Sequence, residues 1–231
     1  MAFGLLHYTF LVTGVIVTVC VLVLLKRYFS QKNTMTLAFT AFMAIYMTGL
    51  LTYASRGLFD LQSAGDILLW RIGIALTGIM GVTLSIYFAY PTMKTKASVW
   101  RSRYSAFVLI TSIVFLGIFL TLPFVCDASH TYTDSYGLSH YRLEQVVPFA
   151  YEIVIGAALI TVLYVAIFLF VAMRNESDPF YRLRALQLLV GWLAITLGQA
   201  LLLHPTLSIL HPVVAVIGAL LLVHAVVRTK K

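Results

Sequence analysis

The stretch Leu5-Leu-His-Tyr-Thr-Phe-Leu-Val-Thr-Gly-Val-Ile-Val-Thr-Val-Cys-Val-Leu-Val-Leu-Leu-Lys-Arg27 decides the fold class of this chain. It runs from residue 5 to residue 25 without a charge and then stops on Lys26-Arg27. A bilayer core of about 30 Å is crossed by roughly 20 apolar residues in a helix, so the run is one membrane span. No basic residue precedes it and two follow it, which predicts a retained span rather than a cleaved secretory leader. Six further runs have the same character, at 34–55, 67–91, 104–125, 146–173, 184–203 and 207–227. Backbone amides in hydrocarbon must be satisfied within the segment or within a closed barrel. The runs lack period-2 alternation, so helices are expected, and the whole of 1–231 reads as a single seven-helix transmembrane bundle.

Composition agrees. Hydrophobic residues make up 61% and charged residues 10%, against about 25% charged in an ordinary soluble domain. The charges also alternate in side. Lys26, Arg27, Lys32, Lys94, Lys96, Arg101, Arg103, Arg174, Arg182, Arg184, Arg228, Lys230 and Lys231 follow the first, third, fifth and seventh runs. Only Arg56, Arg71 and Arg142 fall on the opposite side, with most of the acids. The positive-inside rule then puts the N-terminus outside and the C-terminus in the cytoplasm, as expected of a multi-pass plasma-membrane protein. The net charge of +8 is thus a topology signal; no nucleic-acid partner is implied, and the basic loops suit anionic lipid. Cys20 and Cys126 belong at opposite faces, so no disulfide is expected.

Connections are short except for 126–145, which is rich in Tyr, His, Ser and Asp and carries one glycine. It reads equally as a lid or hairpin and as a solvated connector. Asn175-Glu-Ser-Asp-Pro179 is a stop-and-turn; its glycosylation pattern faces the wrong side to be used. Gly73, Gly78 and Gly81 suit close helix approach.

Ionisable groups at membrane depth are costly unless paired. Arg71 and Glu152 lie at similar depth from the outer face, in different runs, and are the expected intramembrane ion pair or ligand contact. Tyr151, Trp192 and Gln199 belong to the same candidate site, and Tyr46, Tyr87 and Tyr164 are the other deep aromatics with a polar tip. His7, His130, His140, His204 and His211 gather toward the outer side, and His7, His204 and His211 are the candidate metal ligands. Their spacing matches no metal motif, and interfacial anchoring explains them as well. A covalently bound retinal is excluded, because it needs a lysine in the middle of the last span, where Val216 stands. The residues leave any other cofactor open.

Three stretches carry a family resemblance: Phe88-Ala-Tyr-Pro91 with Trp100-Arg-Ser-Arg103; Tyr136-Gly137 in the long loop; and Tyr181-Arg-Leu-Arg-Ala-Leu-Gln-Leu-Leu-Val-Gly191. In that order the chain resembles the seven-transmembrane sensor region at the N-terminus of some bacterial and archaeal histidine kinases. The resemblance implies detection of a small ligand, lipid or membrane state and transmission of helix movement to a cytoplasmic output. Only Arg228-Thr-Lys-Lys231 follows the last run, and neither a phospho-acceptor region nor a nucleotide motif is present. The expectation is therefore a stand-alone sensor or receptor-like module, not an enzyme, signalling through a membrane or cytoplasmic protein partner; a homo-oligomer is compatible with it. The alternative is a non-catalytic subunit of a larger membrane complex, metal- or haem-linked through the outer histidines, and after it a transporter.

Overall fold

The computed structural model describes residues 4–61, 63–73, 75–76, 106, 110, 132–133, 136–140, 150–201 and 206–228. Its long elements are all helical: α1 (Leu5–Gln31), α2 (Thr34–Ser55), α3 (64–73 and 75–76), α4 (Ala150–Asn175), α5 (Pro179–Leu201) and α6 (His211–Val227). Among the described residues, four helical stretches are long and apolar enough to cross a membrane: Leu5–Gln31, Thr36–Leu58, Pro179–Leu201 and Ser208–Val227, with a shorter apolar stretch at Val162–Asn175. The expected run 104–125 and the second half of 67–91 lie almost wholly outside the described residues.

Local chemistry sets the helix ends. Lys32 adopts the left-handed conformation at φ 49°, and its N–H donates to the Tyr28 carbonyl at 2.7 Å, closing α1. Its ammonium lies over the Phe29 ring at 4.9 Å. With only Lys32 and Asn33 intervening, α2 must run back antiparallel along α1. Ser63 Oγ accepts the Asp66 N–H at 3.3 Å, so α3 begins ahead of the expected residue 67. Asp178 Oδ1 accepts the Phe180 N–H at 2.9 Å, and Pro179 fills the first helical position. The sixth expected run, 184–203, therefore starts five residues late: Arg182 and Arg184 ended the apolar run, but the capping chemistry lies ahead of them.

Helix α1 packs on α2 and on α6, while α5 packs on α6 and α4. The Phe42 and Trp192 rings meet edge-on at 6.2 Å, bringing α2 against α5. Helices α1 and α6 run parallel, since Phe10 meets His211 near one end and Arg27 meets the Val227 carbonyl at the other. In consequence Lys26, Arg27, Lys32, Arg174, Arg182, Arg184 and Arg228 share one end of the bundle. Arg56, Asp60, Asp66 and Arg71 share the other.

The surface has the polarity of a lipid-facing protein. On α1, Phe10, Val17 and Leu24 are buried, yet Val12, Val15, Val19 and Leu22 point outward. Outward Val213, Ile217 and Leu220 on α6 repeat the pattern. Helices apolar on both faces suit hydrocarbon outside and protein inside, so the bilayer is the natural solvent of this bundle. Hydroxyls within the helices are satisfied by their own backbone: Thr18 donates to the Gly14 carbonyl, Thr40 to Thr36 and Thr196 to Trp192, all below 3 Å. In lipid, close packing replaces water exclusion as the force between helices. Gly191 and Gly218 provide it, because a Cβ on either would come within 3 Å of the other's carbonyl oxygen.

Candidate functional site

At the end with fewer basic residues, buried polar and aromatic groups from five helical elements form one connected row. It begins just after α2, in the tight turn Arg56–Leu58. Arg56 Nε donates to Asp66 Oδ1 at 2.6 Å, with side chains only 1% and 3% exposed. The α2–α3 turn brings this pair together across ten residues of sequence. The Arg56 guanidinium also sits over the Tyr53 ring, 5.7 Å from its centroid. Gly73 on α3 lies directly against that ring, where a Cβ would approach Tyr53 Cε2 to 3.0 Å.

Tyr53 stacks on Phe10 of α1, centroids 5.3 Å apart and planes 20° apart. Phe10 in turn meets the His211 ring at 5.1 Å. His211 is fully buried at the start of α6, and its Nε2 lies 3.3 Å from Gln199 Nε2 on α5. With the amide donating, Nε2 accepts and Nδ1 carries the ring proton; Nδ1 finds no partner among the described residues. Gly198 lies beside the imidazole, where a Cβ would make ordinary contact at 3.4 Å from His211 Cδ2.

The described part of the long loop 126–145 lies against the same end. Tyr132–Thr133 pairs antiparallel with Ser139–His140, and Gly137 makes the reversal at φ +87°, a conformation that favours glycine. The Tyr136 carbonyl accepts the Leu6 N–H at 3.3 Å, satisfying an amide that the first turn of α1 leaves without a partner. Tyr136 Oη donates to the Thr206 carbonyl at 3.3 Å, and Leu138 is buried in the core. The described part of the loop is thus a short hairpin.

The sequence-nominated residues are distributed as follows. Arg71 is half-buried on α3, and Tyr151 and Glu152 lie in the first turn of α4; the side chains of Tyr151 and Glu152 are outside the described residues, so the expected Arg71–Glu152 pair is too. Gln199 and His211 do meet. Trp192 is deep and buried, as is Tyr46, and neither Trp192 Nε1 nor Tyr46 Oη has a hydrogen-bond partner among the described residues. Tyr164 is buried near Phe168, with ring centroids 6.4 Å apart. His7 is buried, and its Nδ1 accepts the Gly4 N–H at 3.1 Å, an imidazole in the role of the reciprocal cap at the third helical position. His204 lies outside the described residues. Among the described residues, no three His, Cys, Asp or Glu side chains converge as a metal site would require.

Sequence reasoning missed the Arg56–Asp66 pair because it matched charges by depth across different spans. The signal that could have found it is local: an arginine closing one span and the first acid opening the next, across a short turn. In chemical terms the row is a chain of contacts between helices. It holds no nucleophile beside a base, and it links α1, α2, α3, α5 and α6 through one buried charge pair, two rings, an imidazole and an amide. Comparison with protein-family models, curated proteins and solved structures returns no match to this chain.

Proposed function

We propose that this chain is a stand-alone seven-helix sensor or receptor-like module of the plasma membrane. Its N-terminus faces outside, its C-terminus faces the cytoplasm, and it signals through a protein partner rather than by catalysis. The observation that carries this reading is the buried row from Asp66 through Arg56, Tyr53, Phe10 and His211 to Gln199. A charge pair shielded from water at one end of a membrane bundle is costly to keep and sensitive to any neighbour that changes its solvation. Helix α6 has His211 in that row at one end and Val227 held by Arg27 of α1 at the other. A shift of α6 driven at the outer row would therefore be felt at the basic end, where a cytoplasmic partner would read it.

The test is purification of the tagged full chain in nanodiscs, with mass spectrometry of the proteins that accompany it. A cytoplasmic output protein in stoichiometric amount supports the sensor. Stoichiometric respiratory or transport subunits would make the chain an accessory bundle and overturn the proposal.

A further inference from the structure

At the basic end α6 stops short of its neighbours. Val227 is its last residue, while α1 continues from Arg27, the residue that caps it, to Gln31. On the other side α5 contributes Phe180 and, one turn further, Arg184. Among the described residues α1 and α5 thus extend past the last turn of α6, and the step between them is a notch from which the chain leaves at Arg228. Three guanidinium groups border it. Arg27 gives one N–H to the Val227 carbonyl, and its Nε is shielded from solvent with no partner among the described residues. Arg184 is within electrostatic reach of Arg27 and opposes its charge. Arg228 lies over the Phe180 ring at 5.2 Å.

Among the described residues, no carboxylate pairs with any of the three. The nearest acids in sequence are engaged in the α4–α5 turn, where Glu176 Oε1 accepts the Asp178 N–H at 3.0 Å and Asp178 Oδ1 accepts the Phe180 N–H. Three like charges without a counter-ion leave the notch short of an anion.

What lies beside the notch identifies the anion. Exposed Phe29 and Tyr181 sit at its level, the aromatic signature of a membrane–water boundary. Exposed Leu22 on α1, Leu186 on α5 and Leu220 on α6 lead from it toward the middle of the bundle. An occupant would thus meet cations at one end, the exposed Gln187–His224 pair just beneath them at 3.0 Å, and aliphatic side chains further down, the pattern of a phospholipid headgroup and its chains rather than of a soluble anion or an acidic peptide.

We propose that the notch formed by Arg27, Arg184 and Arg228 over the end of α6 binds the phosphate of an anionic phospholipid headgroup from the leaflet at the basic end. The site depends only on the chain spanning a bilayer, so it stands or falls independently of the sensor function. The guanidinium groups supply charge-assisted hydrogen bonds to phosphate oxygens, and the acyl chains lie along the exposed ridge of α6.

The experiment is native mass spectrometry of the full chain released from nanodiscs containing phosphatidylglycerol and phosphatidylcholine. The expected result is one phosphatidylglycerol retained in preference to phosphatidylcholine, with affinity reduced about tenfold or more in Arg27→Gln/Arg184→Gln, at roughly 1 kcal/mol for each cation near an anionic surface. Arg184→Gln alone, which leaves the Arg27 cap of α6 intact, should show part of the loss. Lys26→Gln/Lys32→Gln, which removes the same charge from outside the notch, should retain the lipid. Equal retention by the wild type and both arginine variants would overturn the proposal. So would equal loss in the lysine variant, which would reduce the effect to bulk charge. Displacement of the lipid by millimolar inorganic phosphate would identify a free-phosphate site instead and overturn the lipid assignment.

Discussion

Removing one partner of the Arg56–Asp66 pair should damage the bundle more than any exposed charge substitution. The two side chains are 1% and 3% exposed and 2.6 Å apart, so Asp66→Ala leaves a guanidinium in a water-poor site. Removing one member of a buried ion pair costs about 3–5 kcal/mol, against about 0–1 kcal/mol for breaking a surface pair. At roughly 2–4 °C per kcal/mol for a chain of this size, the midpoint of thermal unfolding should fall by about 6–20 °C. Arg56→Met/Asp66→Leu replaces both charges with apolar groups and should recover much of that loss. The assay is thermal unfolding of wild type, both single variants and the double variant in one detergent. A coupling energy above about 2 kcal/mol is expected; single losses that add to within about 0.5 kcal/mol would refute the pair as a structural element.

Other consequences can be checked in the same preparations. Gly218→Ala puts a methyl 2.8 Å from the Gly191 carbonyl oxygen, too close for contact, and should lower stability by about 1–3 kcal/mol by forcing α5 and α6 apart; wild-type stability would show that the helices do not touch there. His7→Ala removes the acceptor for the Gly4 N–H and should cost about 0.5–2 kcal/mol, like loss of any N-terminal cap, with no change in bound metal by elemental analysis. A fall in metal content on that substitution would restore His7 as a ligand. A membrane-impermeant maleimide should label Cys126 from outside intact cells and leave the buried Cys20 unmodified. Labelling of Cys126 only in inverted vesicles would reverse the orientation proposed above.

The legible part of this fold was the part governed by solvent. Thr34–Ser55 coincides with the expected second run because its apolar stretch and its helix end together at Ser55. Pro179–Leu201 was shortened in expectation because guanidinium groups interrupt hydropathy but not helices; long side chains carry their charge to the interface while the backbone continues. The Asp178-Pro179 cap was the better marker. Tertiary pairing was harder. His211 and Gln199 were nominated for different reasons, a metal ligand and a ligand contact, and only the α5–α6 reversal shows that they meet each other. His7 looked like a ligand because an imidazole beside a helix start is indistinguishable in sequence from an imidazole that caps it. Phe10 carried no signal, and Tyr53 read only as an aromatic-belt residue near a span end, since a stacked ring in this row has the same sequence signature as a ring in any core or belt.

The measurement that bears most directly on the coupling of the outer row to the basic end is a distance across that end. Spin labels at exposed Ser30 on α1 and Arg182 on α5 report it by pulsed electron resonance in nanodiscs. Transmission through α6 predicts that Arg56→Gln/Asp66→Asn, while remaining folded, shifts or broadens the Ser30–Arg182 distribution relative to the wild type. An unchanged distribution in a folded variant would mean that the buried row only holds the bundle together, and the sensor mechanism proposed for it would be wrong.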